Sequence, residues 1–183
     1  GDLAAAEPLY REALALQRAT LGDRHLETLT AIGNLGLLQM AKNYDLAAAE
    51  LLLGEALQGS RETLGDRHPQ TLGCINNLGM LLKAKGDFKN AESLYCEALK
   101  VQRETLGNRH PNTIISISNL GTLLKSKGDL GAAEPLYREA LEVSRETLGY
   151  RHPNTLAATN NLGSLMQDMG DLTSAEPLLR EAL

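Results

Sequence analysis

The sequence has no tryptophan, a single phenylalanine and five tyrosines among 183 residues. A core cannot rest on aromatic rings and must come from Leu, Ala and Ile. Cysteine is equally scarce: Cys74 and Cys96 are the two. A disulfide framework or a zinc site needs more thiols at ligand spacing. Cys74 therefore reads as a small packing residue and Cys96 as a position nearer the surface; reduced thiols fit an intracellular, cytoplasmic protein. No stretch approaches the roughly 18 consecutive apolar residues of a membrane span, so direct membrane insertion is not expected. The first residues lack the basic and apolar regions of a secretory signal. The formal net charge is −5. Nucleic-acid affinity rests on phosphate neutralisation by Lys and Arg, so a nucleic-acid partner is not expected.

What is present is repetition, and repetition decides architecture first. Arg-His pairs stand at 24–25, 67–68, 109–110 and 151–152, and Asn-Leu-Gly at 34–36, 77–79, 119–121 and 161–163. An acidic turn residue recurs at Asp2, Asp45, Asp87, Asp129 and Asp171, in steps of 43, 42, 42 and 42. The extra residue lies in the turn Ala41–Asp45, which replaces the tighter Lys85-Gly86-Asp87. An insertion confined to one turn leaves the flanking helices in phase. The units are a partial repeat 1–25, repeats 26–68, 69–110 and 111–152, and a partial repeat 153–183. Solenoids carry atypical capping repeats at their ends, and neither end here looks like one. The expectation is a single continuous array over 1–183, cut from a longer one.

Each unit reads as two helices. Helix A is expected over Leu26–Lys42, Pro69–Lys85, Pro111–Lys127 and Pro153–Met169. Proline suits the first helical position, where its missing N–H would go unpaired anyway. Leu72, Ile75, Leu78, Gly79 and Leu82 follow the 3-to-4 spacing of one buried face. Gly86 stops the helix and Asp87 caps the next. Helix B is expected over Phe88–Leu106, with Phe88, Ala91, Tyr95, Ala98 and Gln102 as its stripe, broadened by Leu94, Leu99 and Val101; Gly107 ends it in a left-handed conformation. The short loop Asn108-Arg109-His110 makes consecutive helices antiparallel. Pro8, Pro135 and Pro177 fall about six residues into helix B, where proline removes one backbone bond and crowds the carbonyl four residues back. A bend or a loosened first turn is expected in those three helices.

Asn77-Leu78-Gly79 followed by Leu82, Gly86, Phe88, Ala91, Tyr95 and Ala98 resembles the tetratricopeptide repeat, whose usual period is 34. The 42-residue period, with Leu-Gly-x-x-His-Pro between units, is similar to the longer subclass in kinesin light chains, and also to the repeats behind nucleotide-binding domains of signalling ATPases. The resemblance covers essentially the whole chain. It implies an all-α fold, an α-solenoid that winds antiparallel helix pairs into a right-handed superhelix. No heptad segment for a motor heavy chain is present and the copies are unusually alike, so motor association is not expected.

The same resemblance implies that helix A lines a concave groove where ligands bind. Asn34, Asn77, Asn119 and Asn161 hold one helix A position; Asn76, Ser118 and Asn160 hold the one before, with Gly33 breaking the row. An amide offers a donor and an acceptor, so such a row suits the backbone of an extended or short helical peptide of any sequence. The bland alternative is one Asn per repeat bonded to a neighbouring helix. The helix A segments carry five lysines (Lys42, Lys83, Lys85, Lys125, Lys127) against Glu27 and Asp168, a formal +3 that leaves −8 for the rest. Cations in a last helical turn also suit the helix dipole. Lys83 and Lys125 share one position and point to an acidic partner. Arg61-Glu62, Arg103-Glu104 and Arg145-Glu146 read as a solvated edge of weak inter-repeat pairs.

His25, His68, His110 and His152 come one per repeat at the same turn. Stacked helices are ~8–10 Å apart, too far for neighbours to share a metal with bonds of ~2 Å. The histidines are expected to order the turn before the proline, with Leu26 replacing it in the first copy. No Ser-His-Asp order, phosphate loop or paired-carboxylate site rises above the repeat background, so neither enzyme chemistry nor a cofactor is expected. The reading is a scaffold that binds a protein or peptide. Its alternatives are a structural subunit docking within a large assembly and the sensor arm of a signalling ATPase.

Overall fold

The computed structural model describes residues 3–43 and 45–182. The expectations that fall on Gly1, Asp2, Tyr44 and Leu183 lie outside the described residues, as do those on the side chains of Lys42 and Asn43. The described residues form nine helices and no strand: α1 Leu3–Leu21, α2 Leu26–Asn43, α3 Leu46–Leu64, α4 Pro69–Ala84, α5 Phe88–Leu106, α6 Pro111–Ser126, α7 Leu130–Leu148, α8 Pro153–Asp168 and α9 Leu172–Glu181. The even helices α2, α4, α6 and α8 are the A type; the odd ones are the B type. Packing gathers into two units, Gly1–Leu94 and Tyr95–Leu183. Inside the first, α1 packs on α2, α2 on α3 and α3 on α4; inside the second, α6 packs on α7, α7 on α8 and α8 on α9. Each unit also brings one A helix against the next, α2 on α4 and α6 on α8.

Local signals explain where the helices begin. At the B helices an aspartate accepts a backbone N–H of the first turn: Asp45 from Ala48 at 3.0 Å, Asp129 from Ala132 at 3.1 Å, Asp171 from Ser174 at 3.1 Å. At the A helices the cap is histidine. Nδ1 accepts from the second helical N–H: His68 from Gln70 at 3.2 Å, His110 from Asn112 at 3.1 Å, His152 from Asn154 at 3.2 Å. His25 does the same for Glu27 at 3.3 Å although Leu26, not proline, follows it. The four histidines order the turn, as their placement suggests, and do so as hydrogen-bond acceptors.

Glycine sets the ends. Gly86 and Gly107 have φ of 80° and 81°, which side chains with a Cβ rarely adopt. After α4 the N–H of Asp87 reaches back to the Leu82 carbonyl at 2.9 Å, closing the last turn over a left-handed residue. The A helices stop one residue before the expected Lys85, Lys127 and Met169, which act as caps instead. The first copy differs: α2 runs on to Asn43, one residue past the expected Lys42. The phase of α3 is nonetheless kept, with Ala49, Leu53 and Ala56 buried.

Pro135 and Pro177 do not loosen the first turn of their helices; the cap position ahead of Pro8, Asp2, lies outside the described residues. In α7 the N–H of Ala133 bonds to the Asp129 carbonyl at 3.1 Å, and in α9 that of Ala175 bonds to Asp171 at 3.0 Å. In α5, with Ser93 at the proline's position, the same bond is 3.1 Å. Both helices continue unbroken past Pro135 and Pro177. The aspartate cap holds the first turn from its own end, so the missing N–H removes one bond without opening the turn.

The core is Leu, Ile and Ala around two tyrosines. Leu72, Ile75, Leu82 and Gly79 of α4 are buried as expected. Leu78 is only half-buried, and the fully buried leucine of that face is Leu81. In α5, Ala91, Tyr95, Ala98, Leu99 and Gln102 are buried, and burial pushes the Tyr95 phenol up to about 12. A and B helices meet at the glycine of Asn-Leu-Gly. A Cβ on Gly36 would sit 2.9 Å from Leu53, and one on Gly121 2.9 Å from the Tyr137 ring. The tyrosine hydroxyl donates to Thr122 Oγ1 at 2.9 Å, so a polar bond fixes the ring against the helix it packs on.

Candidate peptide-binding surface

Within the first unit, α2 and α4 lie side by side and hold an open depression of ≈ 160 Å³. Asn34 and Asn77 both line it, with Thr30, Gln70, Gly33 and Gly73. The two asparagines come from equivalent positions, so the repeat and the A-on-A packing together place them next to each other. Asn34 is exposed and Asn77 half-buried. Gly73 has open space where a Cβ would stand, so backbone forms part of the surface there. Gln70 closes one end: its amide donates to Thr30 Oγ1 at 3.0 Å and to the Leu26 carbonyl at 3.2 Å. Cys74 also lines the depression and is buried; it shares a 3.6 Å hydrogen bond with Ser60. Burial pushes its thiol pKa up against the smaller downward pull of the Ser60 bond. Cys96 is exposed. Asn76, one residue before Asn77, is half-buried, as is Lys83 in the last turn of α4.

In the second unit the same positions fall on α6 and α8. Asn119 and Asn161 are half-buried, Asn160 is exposed, and Ser118 is half-buried with its carbonyl accepting from Thr122 Oγ1 at 2.8 Å. Ile115 and Ala157, one turn before the asparagines, stand where the first unit has Thr30 and Gly73; Ile115 is 45 % exposed. Lys125 spans from α6 to α8. Its Nζ lies 2.8 Å from Asp168 Oδ2 and donates to Ser164 Oγ at 2.7 Å. In the first unit Lys85 is paired with Glu50. Two lysines of the helix A surplus are thus matched by carboxylates, and the positive field suggested by counting them is reduced.

Cys74 is expected from the sequence only as a packing residue, and Gln70 and Thr30 carry no sequence signal because they do not recur: Gln70 is Asn112 and Asn154 in later copies, and Thr30 is Gly73, Ile115 and Ala157. On the B side, the face of the assembly-subunit alternative, no repeated motif marks individual residues. Successive B helices leave depressions floored by the intervening A helix. In the first unit these are ≈ 570 Å³ beside Leu14, Arg18 and Leu35, and ≈ 400 Å³ beside Leu57, Arg61 and Leu78. The second unit has one of ≈ 460 Å³ beside Leu141, Arg145 and Leu162. The Arg-Glu edge does form inter-repeat pairs: Arg18 with Glu55 at 2.6 Å, Arg103 with Glu139 at 2.7 Å, Arg145 with Glu181 at 2.6 Å. Exposed pairs of this kind contribute ~0–1 kcal/mol each. Arg18 and Arg61 also reach Asp23 and Asp66 in the following loop. Where that loop carries Tyr150, the Arg145 guanidinium lies over the ring at 5.3 Å.

Among the described residues no three His, Cys, Asp or Glu side chains gather as a metal site, and no helix is long and apolar enough to cross a membrane. No curated protein matches the chain. Solved structures do. BtubC (BKLC) from P. vanneervenii superposes with a TM-score of 0.83 at 28% identity, covering 100% of this chain and 72% of that one. A putative kinesin light chain from Podosopora anserina with nearly identical TPR-like repeats gives 0.81 at 26%, covering 100% and 86%. A Rap protein complexed with Competence and Sporulation Factor gives 0.82 at 14%, covering 99% and 48%, a likeness of fold alone. The tetratricopeptide repeat family model matches residues 1–51, 45–104, 72–145 and 115–183. Repeats of this family generally serve protein–protein interaction, and with its repeats matched from end to end and its described residues forming nine helices in A and B alternation, this chain belongs to the tetratricopeptide repeat family.

Proposed function

We propose that the A-helix surface binds an extended or short helical peptide, with the asparagine row holding the peptide's main chain. One observation carries the reading: Asn34 and Asn77 line the same open depression, with glycine rather than side chain beside them. An amide presents a donor and an acceptor together, which matches a peptide backbone unit. Asn119, Asn161, Asn160 and Ser118 are the corresponding groups of the second unit, and Asn76 flanks Asn77. Lys83 and Lys125 sit at the last turn. Since Lys125 is already bonded to Asp168 and Ser164, acidity in the partner is a secondary preference. The test is a peptide-library selection, followed by affinities for Asn34→Ala with Asn77→Ala. The expected result is weaker binding with an unchanged melting temperature. Retained affinity with a lowered melting temperature would make the asparagines structural.

A second reading is a structural subunit that docks by its B helices. It is favoured by the B-side depressions, which are larger than the one between α2 and α4. Retained partner binding in the double asparagine variant, with loss on changing Leu14 and Arg18, would establish it.

A further inference from the structure

Two glycines line the α2–α4 depression, and packing requires neither of them. An added Cβ on Gly73 would have nothing within 4 Å, and one on Gly33 would meet Ala56 at 3.9 Å, an ordinary contact. Neither residue has a positive φ. A helix interior disfavours glycine, so packing and backbone conformation leave both unexplained. What they leave is space, ≈ 160 Å³ of it, over the fully buried Leu29 and the buried Cys74. The second unit carries Ser118 and Ala157 at the equivalent positions, and Ile115 in place of Thr30.

We infer that this depression is a specificity pocket for one uncharged, apolar side chain of the bound peptide, and that Gly33 and Gly73 set its size. The inference rests on the asparagine-row reading and adds to it which side chain the peptide carries. Size fits: an apolar cavity of about 150 Å³ takes up a benzene ring, so a leucine or phenylalanine side chain can enter here. Charge does not fit. No charged side chain stands among the described residues that line the depression, and burial favours the neutral form of the Cys74 thiol. A carboxylate or ammonium placed there would lose water without gaining a partner. The polar groups at one end are already spent. Gln70 uses its amide nitrogen on Thr30 and on the Leu26 carbonyl, and the Thr30 hydroxyl donates to that same carbonyl at 2.9 Å. That end therefore selects by shape. Asn34 and Asn77 differ, since neither bonds another described residue; their amides are available to the peptide main chain on either side of the anchored residue.

The probe is a phage-displayed library of random peptides, selected in parallel on the whole chain and on its Gly73→Leu variant, which fills the pocket from its own wall. Selection on the unaltered chain is expected to enrich one apolar position that selection on Gly73→Leu does not. The leading peptide is then synthesised with that residue intact, as alanine and as aspartate, and titrated by fluorescence anisotropy. Gly73→Leu should weaken the intact peptide about tenfold or more. On the unaltered chain the alanine form should lose a similar factor and the aspartate form more. The alanine form should bind both proteins alike, because it leaves the pocket empty. Circular dichroism checks the fold, and Gly73→Ala, which adds one methyl to open space, should give a smaller loss in the same direction. No enriched apolar position, an aspartate form that binds as well as the intact peptide, or equal losses of the intact and alanine forms on Gly73→Leu would overturn the pocket. Asn34→Ala with Asn77→Ala separates the two readings. Weakened binding there, with affinity for Gly73→Leu unchanged, removes the pocket alone; unchanged binding removes the asparagine reading and the pocket with it.

Discussion

Replacing Gly121 with alanine sets two effects of known size against each other. Alanine is favoured over glycine inside a helix by ~1 kcal/mol. At Gly121 the new Cβ would lie 2.9, 3.1 and 3.4 Å from Cε1, Cδ1 and Cζ of Tyr137. Carbon atoms rest at roughly 3.5–4.0 Å, so the ring must retreat by about half an ångström. It is held by the 2.9 Å bond from its hydroxyl to Thr122 and is 1% exposed, with little room to move. Overpacking of this kind costs ~1–3 kcal/mol, and stretching the hydroxyl bond adds to that a share of its ~0.5–1.5 kcal/mol. The net expectation is a loss of ~0–2 kcal/mol once the propensity gain is counted. Gly54→Ala is the control. Gly54 lies inside α3 with nothing within 4 Å of its added Cβ, and its sister positions hold Arg11, Cys96 and Arg138. Here only the propensity term acts, a gain of ~1 kcal/mol. For a chain of this size 1 kcal/mol moves Tm by about 2–4 °C, so thermal melts should move in opposite directions. Cooperativity can break down along repeat arrays; amide exchange in α6 and α7 localises the loss. If Gly121→Ala raises Tm as much as Gly54→Ala does, the close approach of the two helices is wrong.

Leu81→Ala, at a fully buried position, should cost ~2–5 kcal/mol, and Leu78→Ala clearly less; urea melts giving the reverse order would refute the assignment of the inward face. His110→Ala should cost ~1 kcal/mol by removing the acceptor for the Asn112 N–H, and His110→Asn should recover most of it; equal melts for the two variants would show that the cap contributes nothing. The bonds from the Ser174 side chain and backbone N–H hold the Asp171 carboxyl below the usual carboxylate range. A carboxylate with a lowered native pKa contributes stability above its unfolded pKa and loses it as pH falls through the native one. The protection of the Ser174 amide, its exchange relative to the intrinsic rate at each pH, should therefore fall below about pH 4, and Asp171→Asn should flatten that dependence; the same acid response in Asp171→Asn would assign it elsewhere.

The sequence by itself determined the repeat register and the ends of nearly every helix. Those features are local: an aspartate or histidine accepting from the next turn, a proline at the first helical position, a glycine at positive φ. Each acts within a few residues, so its meaning survives in a linear reading. Tertiary structure decided what lies opposite what. Asn34 and Asn77 are 43 positions apart and share a depression because α2 packs on α4. Lys125 and Asp168 are the same distance apart and pair across α6 and α8. That pairing turns a lysine read as a groove cation into half of a salt bridge. The depth order of Leu78 and Leu81 also came from packing, since periodicity marks a face but not which residue on it meets the neighbouring helix first. The first turn ahead of Pro135 stayed closed because the Asp129 cap secures it. In each case the deciding contact lies between side chains or termini whose relative placement depends on how helices cross, and crossing geometry is a property of the packed pair rather than of either helix alone.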